Sequence, residues 1–144
     1  MEKIRFKDEN SNDYPKWKNV FLGDNCHITT GKLDANAMVE SGKYRFYTCA
    51  KDYYRINDYA FDTEALLISG NGANVGYIHY YYGKFNAYQR TYVLDNFTHN
   101  VIYLNRVLEN DLKRRIDAEK NVGNTPYITL STLTNMKIKT PSLP

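Results

Sequence analysis

Cysteine is scarce in this sequence: Cys26 and Cys49 are the only two in 144 residues. That is too few for a disulfide framework, so a reducing compartment is the expected setting. Long apolar runs are missing too. No stretch approaches the length of a membrane span, and the charged start Met1–Phe6 is not followed by the apolar run of a signal peptide. A soluble cytoplasmic protein without a membrane role is the expectation, and the sequon Asn96-Phe97-Thr98 is read as idle. The three histidines, His27, His79 and His99, are scattered, as are the two cysteines. No pair has zinc-ligand spacing, and no metal or other cofactor is expected. A P-loop and a Gly-x-Ser-x-Gly elbow are both absent. Gly70-Asn71-Gly72-Ala73-Asn74-Val75-Gly76 fails the dinucleotide fingerprint by one residue, and tyrosines follow it where a helix is needed.

Tyrosine, by contrast, is abundant, with 14 copies. Its ring is apolar and its tip polar, which suits wet interfaces as well as strands. The net charge of +3 permits a polyanionic partner without demanding one. At this length one domain with a single core is expected, over residues 15–144 behind a loose leader at 1–14.

Trp17–Leu22 and Cys26–Thr30 read as short strands, and residues 33–42 as a loop. Tyr44–Cys49 alternates like a strand. The run within Glu64–Ser69 has the profile of a strand buried on both faces. Gly70–Gly76 is a turn, Val75–Tyr82 a strand, Gly83-Lys84 a hairpin corner, and Thr91–Leu94 another strand. A helix begins near Val101, because Leu104, Leu108, Leu112 and Ile116 form one stripe. Gly123 marks its stop. Pro126–Leu130 is extended, Ser131–Asn135 is one helical turn, and Met136–Lys139 is a last strand. The expected fold is α+β: a twisted, mostly antiparallel sheet of short strands with one main amphipathic helix.

From Ala65 to Leu94 there is no aspartate or glutamate. The stretch instead gathers cations, amides and tyrosines. Arginine and lysine donate to guanine, asparagine and glutamine pair with adenine, and tyrosine and lysine hold phosphate. Carboxylates would repel the DNA backbone. The candidate base readers are Arg90, Gln89, Asn86 and Asn74. Lys84, Lys32, Tyr81, Tyr82 and Tyr88 are candidates for phosphate or sugar, and Asn71 lies in the same glycine-rich loop. Lys43 and Arg45 read as loop-flanking cations. Two other readings compete. One is a protein-interaction module using the tyrosine surface. The other is a metal-dependent nuclease, but Asp111 and Lys113 point to different faces of the helix and read as solvated surface.

The order of landmarks resembles a target-recognition domain of type I restriction–modification DNA specificity subunits. The matching pieces begin with Trp17-Lys18-Asn19-Val20-Phe21-Leu22-Gly23-Asp24, Thr30-Gly31-Lys32 and Leu67-Ile68-Ser69-Gly70. They continue with Val75-Gly76-Tyr77-Ile78, Gly83-Lys84-Phe85-Asn86-Ala87 and Tyr92-Val93-Leu94. Gly123-Asn124-Thr125-Pro126-Tyr127-Ile128 and the stretch Leu133–Pro141 close the set. The resemblance implies a module that reads one half of a split duplex DNA target and performs no catalysis. It implies modification subunits, which methylate adenine, and a restriction subunit as partners in the full-length setting. Such subunits carry two recognition domains and a long helix after the closing proline segment. On that resemblance the chain looks like a first domain cut from a longer protein or a truncated subunit. Because base contacts in the family vary with the target, no contact residue carries over by position.

Overall fold

The computed structural model describes residues 17–118 and 127–141. The expected leader, the stop at Gly123 and the start of the extended segment at Pro126 lie outside them. Among the described residues eight strands and two α-helices follow one another along the chain: β1 (Trp17–Phe21), β2 (His27–Thr30), β3 (Tyr44–Tyr47), β4 (Tyr54–Ile56), β5 (Phe61–Ser69), β6 (Ile78–Ala87), β7 (Thr91–Asp95), α1 (Val101–Ala118), α2 (Leu130–Thr134) and β8 (Lys137–Pro141). β1 and β8 form an antiparallel ribbon, and the other six strands form one sheet in the order β2-β7-β5-β6-β3-β4. Every pair in that sheet is antiparallel except β3 with β6. The fold is α+β, built on a mostly antiparallel sheet of short strands with one main amphipathic helix.

The side-chain alternation of β5 explains its unbroken apolar run. Leu66 and Ile68 face α1 and pack in one core with Leu94, Leu104, Leu108 and Leu112. Ala65 and Leu67 face the other way, into a second core with Tyr47, Phe85, Ala87 and Val93. In a flat sheet Val93 and Tyr47 would sit three strands apart, about 14 Å. They share one cluster because the sheet rolls up around it. The end of β2, at one margin, meets the end of β6 where Tyr88, just past β6, bridges Leu33, just past β2. Gln89 N–H donates to the Leu33 carbonyl at 2.9 Å. At this closure an added Cβ on Gly31 would lie 2.0 Å from the Ala87 carbonyl oxygen.

α1 begins where Asn100 Oδ1 accepts from the backbone N–H groups of Ile102 and Tyr103, at 2.9 and 3.1 Å. This satisfies donors that the first turn leaves unpaired. Leu104, Leu108 and Leu112 are buried, as the stripe predicts. Asp111 pairs on the outside with Arg114 at 2.6 Å.

Three local expectations need correction. Gly83-Lys84 is no hairpin corner, because pairing with β5 runs through Thr63↔Gly83 and Asp62↔Lys84 to Phe61↔Phe85. Gly83 has a φ of +145° and lets the strand bend rather than turn. β4 was not anticipated, since Tyr54-Arg55-Ile56 is too short to show a period. β5 also begins at Phe61, earlier than its apolar run, because pairing with β6 extends over polar residues.

Cys26 is half-buried, with its thiol 3.6 Å from the Leu22 carbonyl. Burial, aided by the Asp95 carboxylate, pushes its pKa from the ordinary 9.0 up to about 12. The fold therefore favours the neutral thiol. Its contribution is present below pH 9 and is lost as pH rises toward 12, where the unfolded chain ionises first. Cys26 is expected to resist a thiol reagent at pH 8 until denaturant is added. Labelling of both cysteines at equal rates in the native protein would contradict this.

Candidate nucleic-acid interface

The rolled sheet gathers several loops at one end. The Arg90 carbonyl accepts from Gly70 N–H at 2.9 Å and from the Cys49 thiol at 3.4 Å. Asn74 Nδ2 donates to the Cys49 carbonyl at 3.4 Å, and Asn71 pairs with Tyr127. The glycine-rich loop, the 88–90 turn and the segment after β3 are thus tied together. Lys32 lies beside the Leu33–Tyr88 bridge, with its side chain exposed. Gln89 and Arg90 are exposed, although Gln89 Nε2 donates to Asp34 Oδ1 at 3.3 Å.

The candidates on β6 are divided by strand alternation. Tyr82 is 72% exposed, and Lys84 stands 5.0 Å from the Tyr59 ring on the same face. Tyr80 belongs to that face too, and donates to Glu64 at 2.6 Å. This hydrogen bond, strengthened by the carboxylate's charge, raises the phenol pKa. Tyr81 points the opposite way, toward β3. Asn86 does not fit as a base reader. It is 5% exposed, its amide donates to the Asp58 carbonyl at 3.3 Å, and its oxygen accepts from Ala87 N–H at 3.0 Å. A buried amide with both ends engaged is a structural element.

Beside Tyr81 lies a cluster that the sequence did not disclose. The Arg45 guanidinium carbon sits 4.0 Å from the Tyr53 ring centre and 4.5 Å from that of Tyr81. Arg45 Nη1 donates to the Tyr47 hydroxyl at 2.9 Å. Burial raises the Tyr47 phenol pKa, and the hydrogen bond from Arg45 opposes that shift. Arg55, directly across from Arg45 in the β3–β4 register, lies 5.6 Å from the Tyr53 ring. His79 packs on Tyr47 and Tyr77, and Lys51 stands 6.0 Å from the Tyr77 ring. Cations and tyrosines therefore alternate along one rim, which reaches the loop cluster near Cys49. Alternation along β3 puts Arg45 and Tyr47 on one face and was readable in advance. Tyr53 comes from a loop and carried no such signal.

The family model described as "Type I restriction modification DNA specificity domain" matches residues 14–144. The chain belongs to this family. It is 43% identical over 127 residues to the type I restriction enzyme EcoDI specificity subunit of Escherichia coli, covering 88% of this chain and 28% of that protein. The specificity-domain fold is shared with a type I restriction–modification S subunit from M. genitalium, with a TM-score of 0.71 at 16% identity. That match covers 88% of this chain and 35% of the other. A structure concerning complex assembly and conformational transition of the type I R-M system gives a TM-score of 0.65 at 18% identity, over 95% of this chain and 37% of that one. The specificity domain here thus spans about a third of these relatives. Among its described residues, no three His, Cys, Asp or Glu side chains gather where they could hold a metal ion. Among the same residues, no helix is long and apolar enough to cross a membrane.

Proposed function

We propose that this specificity domain reads one half of a split duplex DNA target for a type I restriction–modification complex and leaves the chemistry to its partner subunits. The family match over residues 14–144 carries this reading. The rim of arginine, lysine and tyrosine supports it, because that residue set suits phosphate and base edges. Lys32, Tyr88, Gln89, Arg90, Asn71 and Asn74 lie around the loop cluster. In this reading Arg90, Gln89 and Asn74 approach base edges, with Asn71 beside them. Lys32 and Tyr88 approach phosphate and sugar, Tyr81 supports the Arg45 cluster, and Tyr82 and Lys84, on the opposite face of β6, reach phosphate only where the DNA passes beyond the strand's edge. The methylating and restricting subunits are the protein partners in the full-length setting, and the cytoplasm is where such a complex meets its DNA.

The test replaces the matching stretch of the EcoDI specificity subunit with residues 14–144 and maps adenine methylation across the host genome. A new half-motif with the other half unchanged is the expected outcome. An assembled, soluble complex that methylates nothing, or that keeps the parental motif, would refute the reading.

A further inference from the structure

The Arg45 cage differs in kind from the other cationic positions. An arginine removed from water is ordinarily balanced by a carboxylate. Arg45 is half-buried, yet its side chain hydrogen-bonds to a neutral phenol, and among the described residues no carboxylate forms an ion pair with it. Rings lie over the guanidinium from two elements, Tyr53 in the loop before β4 and Tyr81 on β6. The third tyrosine is itself fixed. Tyr47 is 1% exposed, and its ring lies 5.0 Å from His79, 5.9 Å from Tyr81 and 6.0 Å from Phe85. Gly83 completes the arrangement, since an added Cβ there would lie 3.3 Å from the Tyr81 ring and hydroxyl. The result is a positive, planar fork whose orientation is set before any ligand arrives. Nε and Nη2 have no partner among the described residues.

We propose that Arg45 is a specificity-determining residue that reads a guanine in the target half-site. The inference rests on the DNA-reading function above and names one base contact within it. Holding a planar fork rigid lowers the cost of ordering it on binding, and rigidity is useful where two parallel acceptors must be met. Guanine O6 and N7 in the major groove are such a pair, whereas a phosphate is satisfied by a mobile cation. Arg55, exposed on the outer side of Tyr53, suits the phosphate role. Tyr47 and Tyr81 act as positioning residues through Arg45.

The experiment uses the 144-residue chain and a pool of randomised duplexes, followed by competition with single-position variants of the selected sequence across a salt series. Wild type is expected to select a motif containing a G·C pair at which Arg45→Ala and Arg45→Lys each lose discrimination by about tenfold or more. The remaining positions stay within about twofold. Arg45→Lys keeps its charge, so it retains the wild-type salt dependence on non-specific DNA. Tyr47→Phe loses part of the discrimination at that same pair only. Should Arg45→Ala prove unfolded by thermal melting, Arg45→Lys and Tyr47→Phe decide the matter. Unchanged discrimination in both would overturn the assignment. So would uniform weakening on every sequence with a shallower salt slope, which marks a phosphate contact, or relaxation at an A·T pair. A wild-type chain that selects no motif brings down the DNA-reading function and this inference with it. That result is seen before any variant is made, so the two failures are distinguishable.

Discussion

Gly31→Ala is expected to destabilise the domain by about 3 kcal/mol, near the top of the usual range for overpacking. The methyl group would meet backbone and not a movable side chain: Ala87 O at 2.0 Å, Ala87 C at 2.2 Å and Tyr88 O at 2.6 Å. The clash falls where β2 meets the end of β6. Relief therefore means parting the end of β2 from the end of β6, which would open the core that holds Phe85, Ala87 and Val93. Domains of this size are stable by roughly 5–15 kcal/mol, so the loss takes a large share. It should also separate Lys32 from the 88–90 turn and weaken DNA binding together with stability. Urea unfolding followed by tyrosine and tryptophan fluorescence measures the first effect. A loss below about 0.5 kcal/mol, the scale of ordinary surface substitutions, would mean that the sheet does not close at Gly31.

Leu108→Ala is expected to cost about 2–5 kcal/mol, because a buried leucine truncated in a packed core leaves a cavity. Leu108 sits mid-helix in α1, fully buried with Leu104 and Leu112 against the Leu66–Ile68 face of β5. For a chain of this length the midpoint of thermal unfolding should fall by roughly 10 °C. Ile102 on the same helix is the internal comparison. It is 65% exposed, and Ile102→Ala should stay within about 0.5 kcal/mol. Equal destabilisation by the two substitutions would show that α1 is not docked by its leucine stripe. Because α1 covers the face of the sheet opposite the Arg45 rim, Leu108→Ala should lower stability while leaving the sequence preference of the folded fraction intact.

The elements that were legible in advance share one property: their signal is local. The leucine stripe of α1 repeats every turn, so one face of one helix announces itself. The apolar run in β5 is continuous because both faces are covered, and it reads as a fully buried strand before either cover is known. The glycine-rich turn between β5 and β6 is written in residue types that favour turns. The sequence also showed a span without carboxylates and rich in tyrosine, and strand alternation divides that span between the two faces of β6. It misjudged individual members of the set. Asn86 has the right chemistry for a base edge but occupies a buried strand position. Tyr81 and Tyr82 are neighbours in sequence and lie on opposite faces.

The amino-acid sequence by itself determined the family, the class of fold, the leucine-docked helix and the absence of familiar catalytic motifs. These depend on composition, spacing and periods a few residues long. Tertiary structure alone decided how the sheet closes, which tyrosines face outward, and that Arg45 is held between Tyr53 and Tyr81. Arg45 and Tyr53 come from a strand and the loop that follows it, and Tyr81 from a second strand well separated along the chain. Strand pairing brings them together: β3 lies between β6 and β4, and a parallel pairing such as β3 with β6 joins distant segments and leaves no mark in either one.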